Sequence, residues 1–175
     1  MNDFRLLRAD EIECRISQIN DKGLALLLYK TARTDANLLD ETIGPVAWQN
    51  DFKLVDGVLY GGIGIITPIE IHFPDGHSEF HTEWVWKWDA GTESNTEAEK
   101  GRASDAFKRA GFKLGIGREL YTAPRIWIPA EKCNIKDRRC YDTFTVEKIV
   151  YNEKSEISGL SILCNGNRCF VWQRK

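Results

Sequence analysis

Four cations crowd one side of a single predicted helix. Between Lys100 and Arg125 the chain carries seven Lys or Arg (100, 102, 108, 109, 113, 118 and 125) against two acids, Asp105 and Glu119, a local balance of +5. All 175 residues together sum to −2, so the rest of the chain sums to −7. Arg holds a phosphate through its planar fork and Lys as a point charge. A positive stripe on an otherwise acidic molecule points to a polyanion site; the competing reading is a solvated helix face. At about 100° per residue, Arg102, Asp105, Lys108, Arg109, Phe112 and Lys113 share an arc of about 140°, while Ala103, Ala106, Phe107, Ala110 and Leu114 share the opposite one. Small alanines on that second arc would let the helix approach a sheet closely. Thr96 with Glu99 fits a capping box that starts the helix near Glu97, and Gly115 and Gly117 supply its stop.

Other residue types invite other chemistry. Asp89, Glu93, Glu97 and Glu99 cluster ahead of the helix, as carboxylates of a two-metal nuclease would, but acids at a helix start are expected from the dipole alone. His72, His77 and His81 lie on or beside a predicted hairpin and form no catalytic pattern. Gly61, Gly62 and Gly64 lack the Lys-Ser/Thr of a phosphate loop; a bulge or a close backbone approach explains them better. With no such loop, ATP-driven action is not expected. Cys133, Cys140, Cys164 and Cys169 are spaced C-x6-C and C-x4-C, looser than the usual structural zinc sites. Unpaired thiols are the expectation, with zinc as the alternative, and no metal or cofactor is predicted.

The run Lys100-Gly-Arg-Ala-Ser-Asp-Ala-Phe-Lys-Arg-Ala110 resembles the K-x-x-x-[ST]-D-x-[LF]-K-R-A helix of the Rad-fifty-two family of single-strand annealing proteins. The wider stretch WDAGTESNTEAEKGRASDAFKRAGFKLGIGRELYTAPRIWI is similar to the bacteriophage branch of that family, and the likeness covers roughly residues 24–128. The resemblance implies a β-β-β-α core that assembles into a ring, with Lys108 and Arg109 as the adjacent cations that bind single-stranded DNA in an inner groove. A third family cation, one turn on, falls at Phe112, where Lys113 is the nearest substitute. Arg102 and Arg118 share the basic stretch; for Arg118, within G-I-G-R-E-L-Y, DNA or a subunit contact is expected, and capping for its glycines. Tyr29 matches a family tyrosine beside the bound strand, and Gly44 and Trp48 match its Gly-x-x-x-Trp. Arg15 is one candidate for a further family arginine. The outer, second-strand site transfers poorly: one of its lysines falls at Val58, and Lys53, Lys87 and Lys100 are replacements by charge only.

These side chains need elements to place them. Hydrophobic residues at 42% and charged residues at 29% are ordinary for a globular chain able to bury a core. No apolar run approaches a membrane span. The N-terminus lacks the basic-then-apolar order of a signal peptide, and five cysteines argue against a disulfide framework, so a cytoplasmic protein of a bacterial host is expected. Asp10 with Ile12, Ile16 and Ile19 at i, i+4 and i+7 predicts a short helix over 10–22. A strand follows over 24–29, then a helix from Thr34 or Asp35 to the stop at Gly44-Pro45. Asp56-Gly57 and Pro74-Asp75-Gly76 mark two hairpins. Trp84, Trp86 and Trp88 alternate along the last strand; a core face under the Glu97 helix is expected, an exposed base-stacking platform being the alternative. The order predicts an α+β fold, a curled antiparallel β-sheet with helices on one face. After Pro129 come alternating strands, 144–151 and 157–164, and an Asn165-Gly166 turn, so the expected division is an annealing core over 1–130 and a small C-terminal β appendage over 131–175.

The expected function is single-stranded DNA binding and ATP-independent annealing of complementary strands in phage recombination and double-strand break repair, without enzymatic bond breaking. Expected partners are single-stranded DNA and further copies of the chain in a ring, with room for phage or host recombination proteins and no membrane. Two alternatives come from other classes: a passive single-strand binder that stacks bases on Phe112 and exposed tryptophans, and a metal-dependent nuclease.

Overall fold

Eleven antiparallel strands and two helices build the chain in the computed structural model, which describes residues 4–92 and 98–174. The α+β class expected from the pattern is what the elements form. They gather into two compact units that interleave along the sequence: Ala32–Ile116 together with the first residues up to Arg5, and Leu6–Thr31 together with Gly117–Lys175.

The first unit holds helix α1 (Ala32–Ile43), strands β3 (Trp48–Val55), β4 (Val58–His72) and β5 (Ser78–Ala90) in that spatial order, and helix α2 (Ala98–Leu114). Both hairpins fall where the turn residues put them. Asp56 and Gly57 take positive φ (49° and 78°) between the paired Val55 and Val58, the two-residue turn whose twist matches the strands. Both helices lie on one face of this sheet. Trp48 ties them to it: its indole Nε1 donates to Asp40 of α1 at 2.7 Å, and its ring stands 6.0 Å from that of Phe107 on α2. Ala106, Phe107 and Ala110 are buried against the sheet together with Ile63. At Gly61 a Cβ would lie 2.9 Å from the Ala106 Cβ and 3.0 Å from the α2 backbone. The close backbone approach expected of this glycine is therefore present, and the helix crosses over it. α2 ends at Gly115 (φ 112°), with Gly115 N–H donating to Phe112 and Ile116 N–H to Gly111. That pair of bonds is the Schellman closure, and it buries Ile116 fully. The predicted start near Glu97 and the Thr96–Glu99 capping pair lie outside the described residues and side chains.

The tryptophans correct an expectation. Trp88 pairs with Gly62 and Trp86 with Gly64, and a Cβ on either glycine would sit inside the facing indole, 2.6 Å and 2.7 Å from its nearest atoms. Strand residues alternate faces, so these rings lie on the side away from Gly61 and α2. The helix covers the Trp48, Ile63 and Asp89 face instead. Trp86 and Trp88 stack at 5.1 Å and are half-buried, whereas Trp84 is 40% exposed.

The second unit is a six-stranded sheet in the order β11-β10-β9-β1-β2-β6. Its members are β1 (Glu13–Asn20), β2 (Gly23–Tyr29), β6 (Ile126–Pro129), β9 (Phe144–Tyr151), β10 (Ile157–Cys164) and β11 (Asn167–Gln173), joined by a small hairpin of β7 (Ile135–Lys136) and β8 (Arg139–Cys140). The helix predicted over 10–22 is strand β1, preceded by one 3-10 turn at Ala9–Glu11. A bulge explains the misleading spacing. Ile16 pairs with Leu26 and Gln18 with Ala25, so Ser17 is the extra residue, and Ile19 returns to the face of Ile12 and Ile16. A strand with one bulge thus imitates the i, i+4, i+7 pattern. The C-terminal strands continue the sheet of the N-terminal hairpin through Glu13 and Thr145. Leu24, Leu26, Ile126, Ile128, Ile157 and Ile162 form its core.

Candidate nucleic-acid interface

Helix α2 presents the basic stretch. Its alanine arc is consumed by the sheet, so Arg109 and Lys113 are left exposed, with Lys108 and Phe112 half-buried beside them. The two exposed cations converge on one carboxylate. Asp89, on the last turn of β5, stands 3.5 Å from Arg109 Nη2 through Oδ1 and 3.5 Å from Lys113 Nζ through Oδ2. Its side chain is only 19% exposed, and Oδ1 also accepts the Ala90 N–H at 2.8 Å. Lys113 Nζ donates in addition to the Trp88 carbonyl. Asp89 was weighed in sequence as a metal-binding carboxylate; here it partners two cations. Glu93, Glu97 and the Glu99 side chain lie outside what is described.

The approach of β5 to α2 is held by two further contacts. Asp105 Oδ2 accepts the Thr92 N–H at 3.0 Å and the Thr92 hydroxyl at 2.9 Å. Gly91 passes so close to the helix that a Cβ there would come within 2.3 Å of the Arg102 carbonyl oxygen. Arg102 is half-buried at this crossing. The Asp of the motif is therefore a clamp between α2 and the strand end. Lys113, one step round the helix from Phe112, reaches the same carboxylate as Arg109.

Tyr29 and Arg118 belong to the other unit. Tyr29 ends β2 with 38% of its surface exposed, and the Arg15 guanidinium lies over its ring at 5.1 Å, a cation–π arrangement. Glu13 holds Arg15 at 2.7 Å. The structure so brings the arginine candidate to the tyrosine, on one exposed face with Leu27. Arg118 is exposed at the start of a 3-10 turn. Gly117 before it has φ 73° and lies against the Lys30 stem, 2.5 Å from where its Cβ would be; its role is packing and chain reversal. Glu119 next to it is buried and accepts the Leu7 N–H at 2.8 Å. Lys53, a candidate by charge for a second-strand site, stands over the Trp88 ring at 4.0 Å.

On α2, Arg109 offers a fork and Lys113 a point charge, each 3.5 Å from the Asp89 carboxylate. Among the described residues no helix is long and apolar enough to cross a membrane. Residues 5–137 match the model of the Rad52/22 family double-strand break repair protein. A comparison with curated proteins finds no significant match.

Proposed function

This chain belongs to the Rad52/22 family of double-strand break repair proteins, and from that premise we propose that it anneals complementary single strands without ATP in phage recombination. Membership carries DNA binding and strand annealing in recombination and repair. The finer reading is supported by one observation: Arg109 and Lys113 on the outer arc of α2 stand 3.5 Å from the same carboxylate, Asp89, with Lys108 on the same arc, and Asp105 of the helix accepts from Thr92 at the strand end. Arg109 would fork onto a phosphate, and Lys108 and Lys113 would neutralise its neighbours. Contacts of this kind carry no sequence information, so base pairing itself tests complementarity. The chemistry breaks no bond, and a non-enzymatic role follows. Residues 1–130 would form the annealing core and 131–175 the appendage.

Assembly with further copies is part of the proposal. β3 and β5 are the outer strands of their three-stranded sheet among the described residues, and they expose Leu54 (70%), Val55, Phe80 (75%) and Trp84. Unpaired edges with apolar side chains are templates for another sheet. A ring built that way would line up one α2 per subunit and multiply a few phosphate contacts.

Annealing of two complementary oligonucleotides, followed by fluorescence without nucleotide, tests this. The native chain should accelerate pairing, and Lys108→Ala/Arg109→Ala with an unchanged circular dichroism spectrum should not. Binding should weaken with salt by a slope near −0.7 per neutralised phosphate. Tight binding without acceleration would replace annealing by passive strand protection.

A further inference from the structure

Four of the five cysteines sit on two facing hairpins. Cys133 and Cys140 bracket the β7–β8 turn, where Asp137 and Arg138 take positive φ (50° and 56°). Cys164 and Cys169 bracket the β10–β11 turn at Asn165-Gly166, with φ 49° and 84°. Both are tight two-residue turns. On the second hairpin a bulge intervenes: Ile162 pairs with Phe170 and Leu163 with Arg168, leaving Cys169 as the extra residue. Both Cys164 and Cys169 are buried. One carboxylate ties the hairpins together. Asp142 Oδ2 accepts from the Cys140 thiol at 3.5 Å, from the Cys164 thiol at 3.5 Å and from the Asn134 N–H at 2.6 Å, while Oδ1 accepts from the Asn134 and Asn165 amides at 2.9 and 2.8 Å. The Cys133 thiol donates to the Pro129 carbonyl at 3.5 Å and the Cys169 thiol to the Ile162 carbonyl at 3.4 Å.

We propose that Cys133, Cys140, Cys164 and Cys169 form a structural tetrathiolate site for one thiophilic divalent cation, zinc, that staples the β7–β8 hairpin to the β10–β11 hairpin. Two knuckles, each giving two thiols from either side of a tight turn, supply the four soft ligands a closed zinc site needs. Among the described residues no group of three or more His, Cys, Asp or Glu could hold a metal ion as arranged, so the site requires the four thiols to turn toward one another as the ion arrives. For Cys140 and Cys164 the movement is small. Two sulfurs on one zinc are within about 4.6 Å of each other; Cys140 and Cys164, each 3.5 Å from the same oxygen, are at most 7.0 Å apart. Side-chain torsions of cysteine cover that difference. Four S–Zn bonds form, four S–H bonds break, and four protons leave to the buffer with no electron transferred. Lys132, whose Nζ donates to the Cys169 carbonyl at 3.3 Å, offsets part of the resulting negative charge.

The test uses the full chain. Elemental analysis of protein purified without chelator should give one zinc per chain, and the reduced, metal-free chain should take up one Co²⁺ with a strong thiolate-to-cobalt charge-transfer band. Cys140→Ser and Cys164→Ser should each lose most of that band; Cys14→Ser should keep it. Should the serine variants fail to fold, titration of thiols in the native chain decides: zinc should protect four of five, and a chelator should release them. Sub-stoichiometric zinc with no cobalt–thiolate band in the native chain, or equal thiol reactivity with and without zinc, overturns the site.

Discussion

At the scale of single residues, Asp89 decides how available the basic face is. It lies 3.5 Å from both Arg109 and Lys113, cations that are each nearly half exposed. Exposed pairs of this kind contribute only about 0.2–1 kcal/mol. Removing the charge while keeping the shape should therefore release both cations at little structural expense. Asp89→Asn is expected to bind single-stranded DNA about 2- to 5-fold more tightly per subunit with a steeper salt slope, read by fluorescence anisotropy across a salt series. Weaker binding would mean that Asp89 positions the cations and does not compete with phosphate. Asp105 should behave in the opposite way. It accepts two hydrogen bonds from Thr92, each contributing about 0.5–1.5 kcal/mol. Asp105→Ala should lower stability in urea unfolding by about 1–2 kcal/mol and weaken DNA binding in parallel, since α2, which carries Lys108, Arg109 and Lys113, is held less firmly to the strand end. DNA binding unchanged in a destabilised variant would confine Asp105 to folding.

At the scale of elements, the helix and its sheet share a point of contact that tolerates no side chain. Gly61 faces the Ala106 Cβ and the α2 backbone at 2.9–3.0 Å from where a Cβ would be. Backbone cannot give way as a flexible side chain can, so Gly61→Val should lift α2 from the sheet. The expected loss is on the order of 3 kcal/mol, at the upper end of overpacking, read as a lower denaturant midpoint with DNA binding impaired in the folded fraction. A Gly61→Val chain as stable as the native one would show that the helix docks elsewhere. Such contacts also explain what could be read from the sequence. The alanine arc of α2 and the turn pairs Asp56-Gly57 and Asn165-Gly166 are local signals, and each settled its element. Two long-range effects were not legible. Ser17 bulges out of β1, so Ile16 and Ile19 share a face at helical spacing; only pairing with β2 reveals that this is a strand. Trp84, Trp86 and Trp88 announce one sheet face but not which one. Gly62 and Gly64, lying under Trp88 and Trp86, put that face away from α2, a cross-strand fact absent from either strand alone. At the site, the cations were legible from composition and arc, whereas their partner Asp89 was visible only as one acid among several, because its proximity to Arg109 and Lys113 spans twenty and more residues.

At the scale of the whole molecule, one subunit cannot hold a strand firmly. Three cations on α2 neutralise at most a few phosphates, and part of their charge is spent on Asp89. On the proposed reading firm binding would depend on repetition, built on the outer strands β3 and β5, which have no further partner strand among the described residues. Leu54 on β3 and Phe80 on β5 are 70% and 75% exposed, too apolar for rims that stay in water and well placed for sheets that meet edge to edge. Replacing both by Lys places charge on each rim, which blocks such pairing, while leaving Lys108, Arg109 and Lys113 in place. Leu54→Lys/Phe80→Lys should shift light scattering toward monomer. Its affinity for an oligonucleotide short enough to touch one subunit should be unchanged or slightly higher, since two cations have been added. For a strand long enough to cross several subunits, affinity should fall by about 10²-fold or more, the range over which linked sites exceed single ones. The contrast between the two lengths carries the inference. Equal effects on both strands would place the damage in the site itself, and an unchanged oligomer would show that these rims are not where copies meet.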